Sequence, residues 1–172
     1  IVNAQSGAGI IEQLGADHVL SDQIMFSTRG LTGADVFLDE PSVTGTENAV
    51  MAAVAASGIT ILRNAASEPH VQDLCEFLVT LGARIEGIGT NTVTIHGGAT
   101  LGPATHAIGP DHIEVGSFIG LAAVTRSELR IASAGVRHLR SVLMGFERLG
   151  ITCRIDGDDL IIPANHSLVI QN

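Results

Sequence analysis

The residues best suited to chemistry stand where three predicted helices begin. Residues 44–47 (TGTE) and 111–114 (DHIE) each match a capping box. Their expected N-caps are Thr44 and Asp111, and Glu68 stands at a third helix start. The free N–H groups and positive dipole end of a helix attract phosphate and carboxylate groups, so these starts could line a cleft for an anionic ligand. The same residue types also act as simple caps, and the spacing leaves both interpretations open.

Other catalytic and binding motifs are absent from the sequence. There is no lysine and hence no Walker loop, and no G-x-G-x-x-G opens a helix after a strand. Ser117 is flanked by glycines (GSFIG) but falls inside a predicted buried helix, which excludes a nucleophile elbow. His70, Asp73 and Glu76 share one helix face and are expected to be solvated. The seven histidines are scattered, so neither a metal site nor a cofactor is predicted.

The three helix starts belong to a repeating supersecondary pattern. A Leu-Gly dipeptide follows one helix in each copy, with its glycine at Gly15, Gly82 and Gly150. Residues 34–96 predict the order β-α-β-α-β-β, residues 105–162 repeat it, and residues 8–27 supply only the tail of an earlier copy. A period of about 67 residues indicates one repeated supersecondary unit. The predicted fold class is therefore α/β, built from repeated βαβαββ units.

Each copy contains two helices of different character. The first, at residues 48–57 and 115–125, is apolar on every side, which predicts complete burial. The second is amphipathic, with one apolar stripe per copy. These stripes comprise Val71, Leu74, Cys75, Leu78 and Val79 in one copy and Leu139, Val142, Leu143 and Phe146 in the other. The predicted strands lie at residues 34–39, 59–62, 84–87, 92–96, 105–108, 128–132, 151–155 and 160–162.

Composition narrows the class of protein. The net charge is −9 and the chain has no Trp or Tyr, so a nucleic-acid-binding surface is not expected. There is no run of 18 apolar residues and no signal-peptide pattern, so neither membrane insertion nor secretion is expected. Cys75 and Cys153 lie in apolar surroundings, typical of two free thiols in a cytoplasmic protein, with a disulfide as the alternative. Six of the nine arginines follow residue 104, which favours a domain boundary nearby.

Three stretches resemble the bacterial UDP-N-acetylglucosamine 1-carboxyvinyltransferases, which are enolpyruvyl transferases. They are residues 41–53 (PSVTGTENAVMAA), residues 64–74 (NAASEPHVQDL) and residues 111–118 (DHIEVGSF), in the order and spacing of that family. The resemblance implies a two-domain, inside-out α/β barrel with the active site between the domains, of which this chain is a central segment. Residues 1–109 would be the later part of the catalytic-loop domain, with one partial and one full repeat. Residues 110–172 would be the first repeat of the second domain.

The resemblance also implies an activity and a binding loop. The enolpyruvyl group of phosphoenolpyruvate would pass to the 3-hydroxyl of UDP-N-acetylglucosamine, in peptidoglycan precursor synthesis in the cytoplasm. The residues that match the loop touching the uridine-diphosphate part are Pro41, Ser42, Val43 and Thr44. Glu68 matches an acid near the cleft. Two positions depart from the family: Glu40 stands where a lysine is usual, and His112 where an arginine is usual.

No catalytic residue is assigned within the chain. The family's loop acid, active-site lysine, base aspartate and several arginines fall outside these 172 residues in this register, so the chain alone is expected to be inactive. Two other functions stay open: a transferase of the same fold acting on shikimate 3-phosphate, and a non-catalytic folded module. The expected partners are the two substrates and either the missing parts of the same protein or a second copy of the chain.

Overall fold

The computed structural model describes residues 4–20, 24–164 and 168–169. The chain divides into unit 1, Ile1–Ala107, and unit 2, Ile108–Asn172. The predicted junction between residues 109 and 110, as a boundary between two domains of a longer protein, stays a prediction.

The described residues of unit 1 form three helices and six strands. The helices are α1 (Ala4–Gln13), α2 (Val43–Ala55) and α3 (Pro69–Thr80). The strands are β1 (Asp17–Leu20), β2 (Ile24–Ser27), β3 (Asp35–Phe37), β4 (Ile59–Arg63), β5 (Arg84–Glu86) and β6 (Thr92–His96). β1 and β2 pair as an antiparallel hairpin, and the other four form a sheet in the order β3-β4-β6-β5. Within that sheet β3 and β4 are parallel and the other pairs antiparallel, so the β-α-β-α-β-β order predicted for residues 34–96 is confirmed.

The core of unit 1 lies between this sheet and its helices. Alternation along the strands turns one row of side chains inward, for example Thr60 and Leu62 of β4. The largest inward-facing apolar side chains of the strands are Val36, Leu62, Val93 and Ile95, and those of the helices are Ile10, Val50, Val54, Val71 and Leu78. Full burial of one such side chain contributes about 1.5–3 kcal/mol, so this layer is the main source of stability.

Unit 2 repeats the pattern without its first strand. It contains α4 (His112–Thr125), β7 (Leu129–Ile131), a 3-10 turn (Val136–His138), α5 (Arg140–Arg148), β8 (Arg154–Asp156) and β9 (Asp159–Ile162). The strands form an antiparallel sheet in the order β7-β9-β8. Ile119, Leu139, Leu160 and Ile162 are fully buried between this sheet and the helices.

The strand predicted at residues 105–108 is wrong. Residues 97–111, all of which the structure describes, form no helix or strand. The Gly98 N–H instead donates to the Val54 carbonyl in the last turn of α2. The N–H groups of Gly97 and Gly102 donate to the carbonyls of Gly58 and Leu81, which follow α2 and α3 respectively. Prolines at 103 and 110 offer no N–H for a sheet ladder. The segment is therefore an irregular strap.

The part of this strap that belongs to unit 1 contacts α3. His106 Nε2 lies 2.9 Å from Asp73 Oδ1, and the His106 ring is tilted against Phe77 with 5.4 Å between centroids. Both polar side chains are largely shielded, at 14% and 26% exposure. The expectation that Asp73 is simply solvated is therefore wrong, because the strap covers it.

The complete burial predicted for the two apolar helices is also wrong. In α2, Met51 is exposed, and in α4 the side chains of Ile113, Leu121 and Val124 are 64%, 53% and 73% exposed. The physical reason is that a single sheet can cover only one side of a helix. The amphipathic helices behave as predicted except at Val79, which is exposed. Among the described residues, none of the helices combines the length and apolar character needed to cross a bilayer.

Candidate functional site

Two loops meet at one edge of the unit 1 sheet. Residues 38–42, here the α2 loop, lead from β3 into α2, and residues 64–68, the α3 loop, lead from β4 into α3. Because β3 and β4 are parallel, their carboxyl ends share this edge, which is where open α/β sheets bind ligands. The Leu38 N–H donates to the Arg63 carbonyl at 3.0 Å, which joins the two chain segments where the strands end.

Ser42 caps α2. Its backbone is extended, and its Oγ accepts a hydrogen bond from the Gly45 N–H at 3.1 Å. A Cβ on Gly45 would come within 3.1 Å of Ser42 Cβ, so the glycine allows this close first turn. The predicted N-cap Thr44 is wrong, because it lies inside the first turn and is exposed. The earlier cap is favoured because the Thr46 N–H and hydroxyl can then both bond to the Ser42 carbonyl.

A small open pocket of about 50 Å³ lies beside this cap. Its walls come from α1, from the end of β3 and from the α2 loop, with Ile10 and Phe37 as apolar groups and Asp39, Glu40 and Ser42 as polar ones. Phe37 is 63% exposed, so its ring is available to an aromatic ligand group. The two carboxylates suit sugar hydroxyl groups, while the start of α2 offers N–H groups to an anion.

The predicted loop residues lie together at this helix start. Pro41 and Thr44 are exposed, while Ser42 and Val43 are half-buried. Of the four, Ser42 lines the pocket. Glu40, where the sequence departs from the family's usual lysine, lines it as well. The pocket lining therefore carries two carboxylates, those of Asp39 and Glu40.

Glu68 occupies the N-cap position of α3, next to Pro69 in the first turn, as predicted. Its side chain makes no capping hydrogen bond. Its Oε2 is buried and has no hydrogen-bond partner among the described residues. A buried carboxylate oxygen without a partner is costly, so this group is suited to receiving a donor from a ligand or from another part of a longer protein.

Asp111 caps α4 in unit 2, as predicted. Its Oδ1 accepts from the Ile113 N–H at 2.8 Å and more weakly from the Glu114 N–H at 3.4 Å. This is a local cap made within the first turn of its own helix.

The thiols are not arranged for nucleophilic chemistry. Both cysteines are free, and each lies among the described residues. Burial raises the pKa of the Cys75 thiol to about 11, and the nearby carboxylates of Glu47 and Glu76 add to this. Burial also raises the pKa of Cys153. Both thiols are therefore protonated near neutral pH, and no cluster of three metal-ligating side chains occurs in the part of the chain that the structure describes.

The sequence did not predict the roles of two residues that organise the loops. Thr46 Oγ1 accepts from the Ala66 N–H at 3.0 Å, and Asn64 Nδ2 donates to the Leu38 carbonyl at 2.9 Å. A hydroxyl four residues after a cap, as at Ser42 and Thr46, is a signal for a bond back to the carbonyl. The bond to Ala66 has no such local signal.

Comparison with known proteins places these features in a family context. The chain matches the family described as EPSP synthase (3-phosphoshikimate 1-carboxyvinyltransferase) over residues 9–169. It is 71% identical over 162 residues to the UDP-N-acetylglucosamine 1-carboxyvinyltransferase of Bradyrhizobium diazoefficiens, and 47% identical over 161 residues to that of Treponema denticola. Each alignment covers 94% of this chain and 38% of the relative. The resemblance drawn from the three sequence stretches is confirmed.

Solved structures agree on the fold. The enolpyruvyl transferase NikO from Streptomyces tendae aligns with a TM-score of 0.79 at 21% identity, over 95% of this chain and 42% of that one. An EPSP synthase from Acinetobacter baumannii aligns with a TM-score of 0.70 at 20% identity, over 95% of this chain and 40% of that one. The predicted α/β fold of the enolpyruvyl transferase type is confirmed.

Proposed function

Because the chain belongs to the EPSP synthase (3-phosphoshikimate 1-carboxyvinyltransferase) family, we propose that it is part of a cytoplasmic enolpyruvyl transferase acting on UDP-N-acetylglucosamine. The observation that carries this proposal is the 71% identity over 162 residues to a relative named for that activity. The product would feed peptidoglycan precursor synthesis. The chain spans 38% of the length of the relatives, so the complete enzyme includes further segments.

The role of this chain is to hold the uridine-diphosphate part of the substrate at the start of α2. The pocket supports this, because the exposed Phe37 ring offers apolar contact to a base and Ser42 marks a helix N-terminus. Val43 and Thr44 present the backbone N–H groups of the first turn there. Pro41 has no N–H, and the Ser42 N–H donates to the Glu40 carbonyl at 2.7 Å. The Glu40 carboxylate can accept a hydroxyl group of the substrate but repels phosphate, so the diphosphate binds at the N–H groups of the first turn of α2 and away from Glu40.

The reaction needs groups that the described site does not supply. The substrate hydroxyl oxygen bonds to C2 of phosphoenolpyruvate while C3 takes a proton, and C2–O cleavage then releases phosphate as C3 loses a proton. These steps need an acid, a base and cations around the phosphate and carboxylate. The chain has no lysine, and Cys75 is a buried thiol with a pKa near 11. Glu68 is the acid of this chain that is best placed to contribute near the cleft.

Shikimate 3-phosphate is the second candidate acceptor, since the matching family model carries that activity in its description. The two acceptors differ in that shikimate 3-phosphate has no nucleotide. With shikimate 3-phosphate as acceptor, a loop that binds the uridine-diphosphate part of a substrate would have no ligand group to bind. The 71% and 47% identities favour the nucleotide sugar.

The test is phosphate release from phosphoenolpyruvate by the complete gene product, with either acceptor, beside the 172-residue chain alone. We expect turnover by the complete protein with UDP-N-acetylglucosamine and none by the chain alone. Turnover only with shikimate 3-phosphate would contradict the acceptor assignment. Turnover by the isolated chain would contradict the placement of the acid and base outside it.

A further inference from the structure

Thr46 connects the two loops of the candidate site. Its side chain is fully buried. Its hydroxyl donates to the Ser42 carbonyl at 2.8 Å and accepts from the Ala66 N–H at 3.0 Å. One hydroxyl thus joins the last residue of the α2 loop to the middle of the α3 loop, where Ala66 lies 20 residues beyond Thr46.

The other fully buried threonine provides a contrast. Thr60 lies on β4 and its Oγ1 has no hydrogen-bond partner among the described residues. Filling space between sheet and helices therefore does not require a bonded hydroxyl. At Thr46 the hydroxyl is used both as donor and as acceptor, which points to a role in geometry as well as packing.

A second side-chain bond crosses between the same loops in the opposite direction. Asn64 has a left-handed backbone, with φ of 58°, and its Nδ2 donates to the Leu38 carbonyl at 2.9 Å. Asparagine tolerates this conformation better than most residues. The two loops are therefore held together at both ends, by Asn64 near the strands and by Thr46 near the helices.

We propose that Thr46 is a positioning residue for the nucleotide-sugar site. It fixes Ser42 and the first turn of α2 relative to the loop that carries Glu68, so that the bound substrate meets both in one arrangement. This inference rests on the proposed function. It names a residue that touches no substrate and acts through Ser42 and Ala66.

The variants that test this are Thr46→Val and Thr46→Ser. Valine keeps the volume and removes both hydrogen bonds, while serine keeps the hydroxyl. In the complete enzyme, Thr46→Val is expected to raise KM for UDP-N-acetylglucosamine about tenfold, as the loss of one or two buried hydrogen bonds allows, with kcat within about twofold. Thr46→Ser is expected to stay close to the wild type. A purely structural defect would lower kcat through the active fraction and leave KM unchanged.

Hydrogen exchange measures the loss of the bond between Thr46 and Ala66 independently of the kinetics. Hydrogen exchange of the Ala66 amide is expected to be faster in Thr46→Val than in the wild type and unchanged in Thr46→Ser. Should Thr46→Val fail to fold, Asn64→Gly serves instead, because glycine keeps the left-handed backbone and removes only the bond to Leu38. It is expected to raise the same KM by a smaller factor.

The outcomes separate this inference from the proposed function. A wild-type enzyme that turns over UDP-N-acetylglucosamine, with KM unchanged in Thr46→Val or in the substitute Asn64→Gly, overturns the positioning role alone. An equal rise in KM in Thr46→Ser also overturns it, since the hydroxyl would then not matter. A complete wild-type protein with no turnover of the nucleotide sugar overturns the proposed function and this inference with it.

Discussion

The first helices of the two repeats are both apolar, but their surroundings differ. In unit 1, α2 packs on the sheet and also against α1, which contributes Ile10 to the same core. In unit 2, α4 buries Val115 and Ile119 but leaves Leu121 and Val124 exposed. The difference shows that burial of this helix depends on a neighbouring repeat. In unit 1 the tail of an earlier copy supplies that neighbour through α1.

The two caps differ in a similar way. Ser42 caps α2 and its carbonyl is tied through Thr46 to the α3 loop, whereas Asp111 bonds within the first turn of α4. One cap thus belongs to a network between loops and the other is local. The network distinguishes a candidate binding site from a simple helix start.

The largest expected effect on the free energy of unfolding comes from truncating a buried valine of α2, compared with an exposed valine of α4. Val50→Ala in α2 removes a fully buried side chain and is expected to lower the free energy of unfolding by about 2 kcal/mol. Val124→Ala in α4, where valine is 73% exposed, is expected to be neutral or slightly stabilising, because alanine favours helices. Denaturant unfolding of the 172-residue chain measures both. Equal losses would show that α4 is as well buried as α2.

Removal of the side-chain caps is expected to have an intermediate effect on the free energy of unfolding. Ser42→Ala and Asp111→Ala each remove a side-chain cap and are expected to cost about 1 kcal/mol. Loss of the Ser42 cap is expected to loosen the first turn of α2, which carries the Thr46 hydroxyl that bonds to the Ala66 N–H. Hydrogen exchange in the α3 loop is therefore expected to rise with Ser42→Ala and to stay unchanged with Asp111→Ala. A rise with both variants, or with neither, would contradict the contrast drawn between network and local cap.

The smallest effect on stability near neutral pH is expected from ionisation of the thiols. The pKa of Cys75 is raised by burial to about 11, above the value of about 8.5 for an unfolded chain. Its contribution to stability is therefore fully present below about pH 8.5 and is lost as the pH rises toward 11. Thermal unfolding from pH 7 to pH 10.5 measures this decline, which Cys75→Ala should reduce.

Alkylation provides the matching comparison between units. At pH 8 the half-buried Cys153 of unit 2 is expected to react with iodoacetamide before the buried Cys75 of unit 1. Mass spectrometry of the digested protein reports the order. Earlier labelling of Cys75 would show that its pKa is not raised or that the core of unit 1 opens.

Much of unit 1 could be predicted because its signals are local. The alternation in Ile59–Arg63 and the proline at the start of α3 both specify their elements within a few residues. Residues 105–108 show the limit, since a strand-like pattern there bonds to no strand. The choice of Ser42 over Thr44 as N-cap likewise depends on Thr46 and on its distant partner Ala66.

The candidate site was predicted only where a family resemblance marked it. Pro41 to Thr44 and Glu68 came from that resemblance, and capping patterns alone did not distinguish them from Asp111. The pocket and the Thr46 and Asn64 links depend on side chains meeting across the parallel strands. Such contacts have no signature within a short stretch of sequence.

The start of α2 is the proposed binding site for the nucleotide part of the substrate. The most direct test of this binding site is titration of the ¹⁵N-labelled 172-residue chain with UDP-N-acetylglucosamine, followed by amide chemical shifts at both caps. We predict saturable shifts at Ser42, Val43 and Thr44 that exceed those around Asp111. Equal shifts at both helix starts, or none at either, would contradict nucleotide binding at the start of α2.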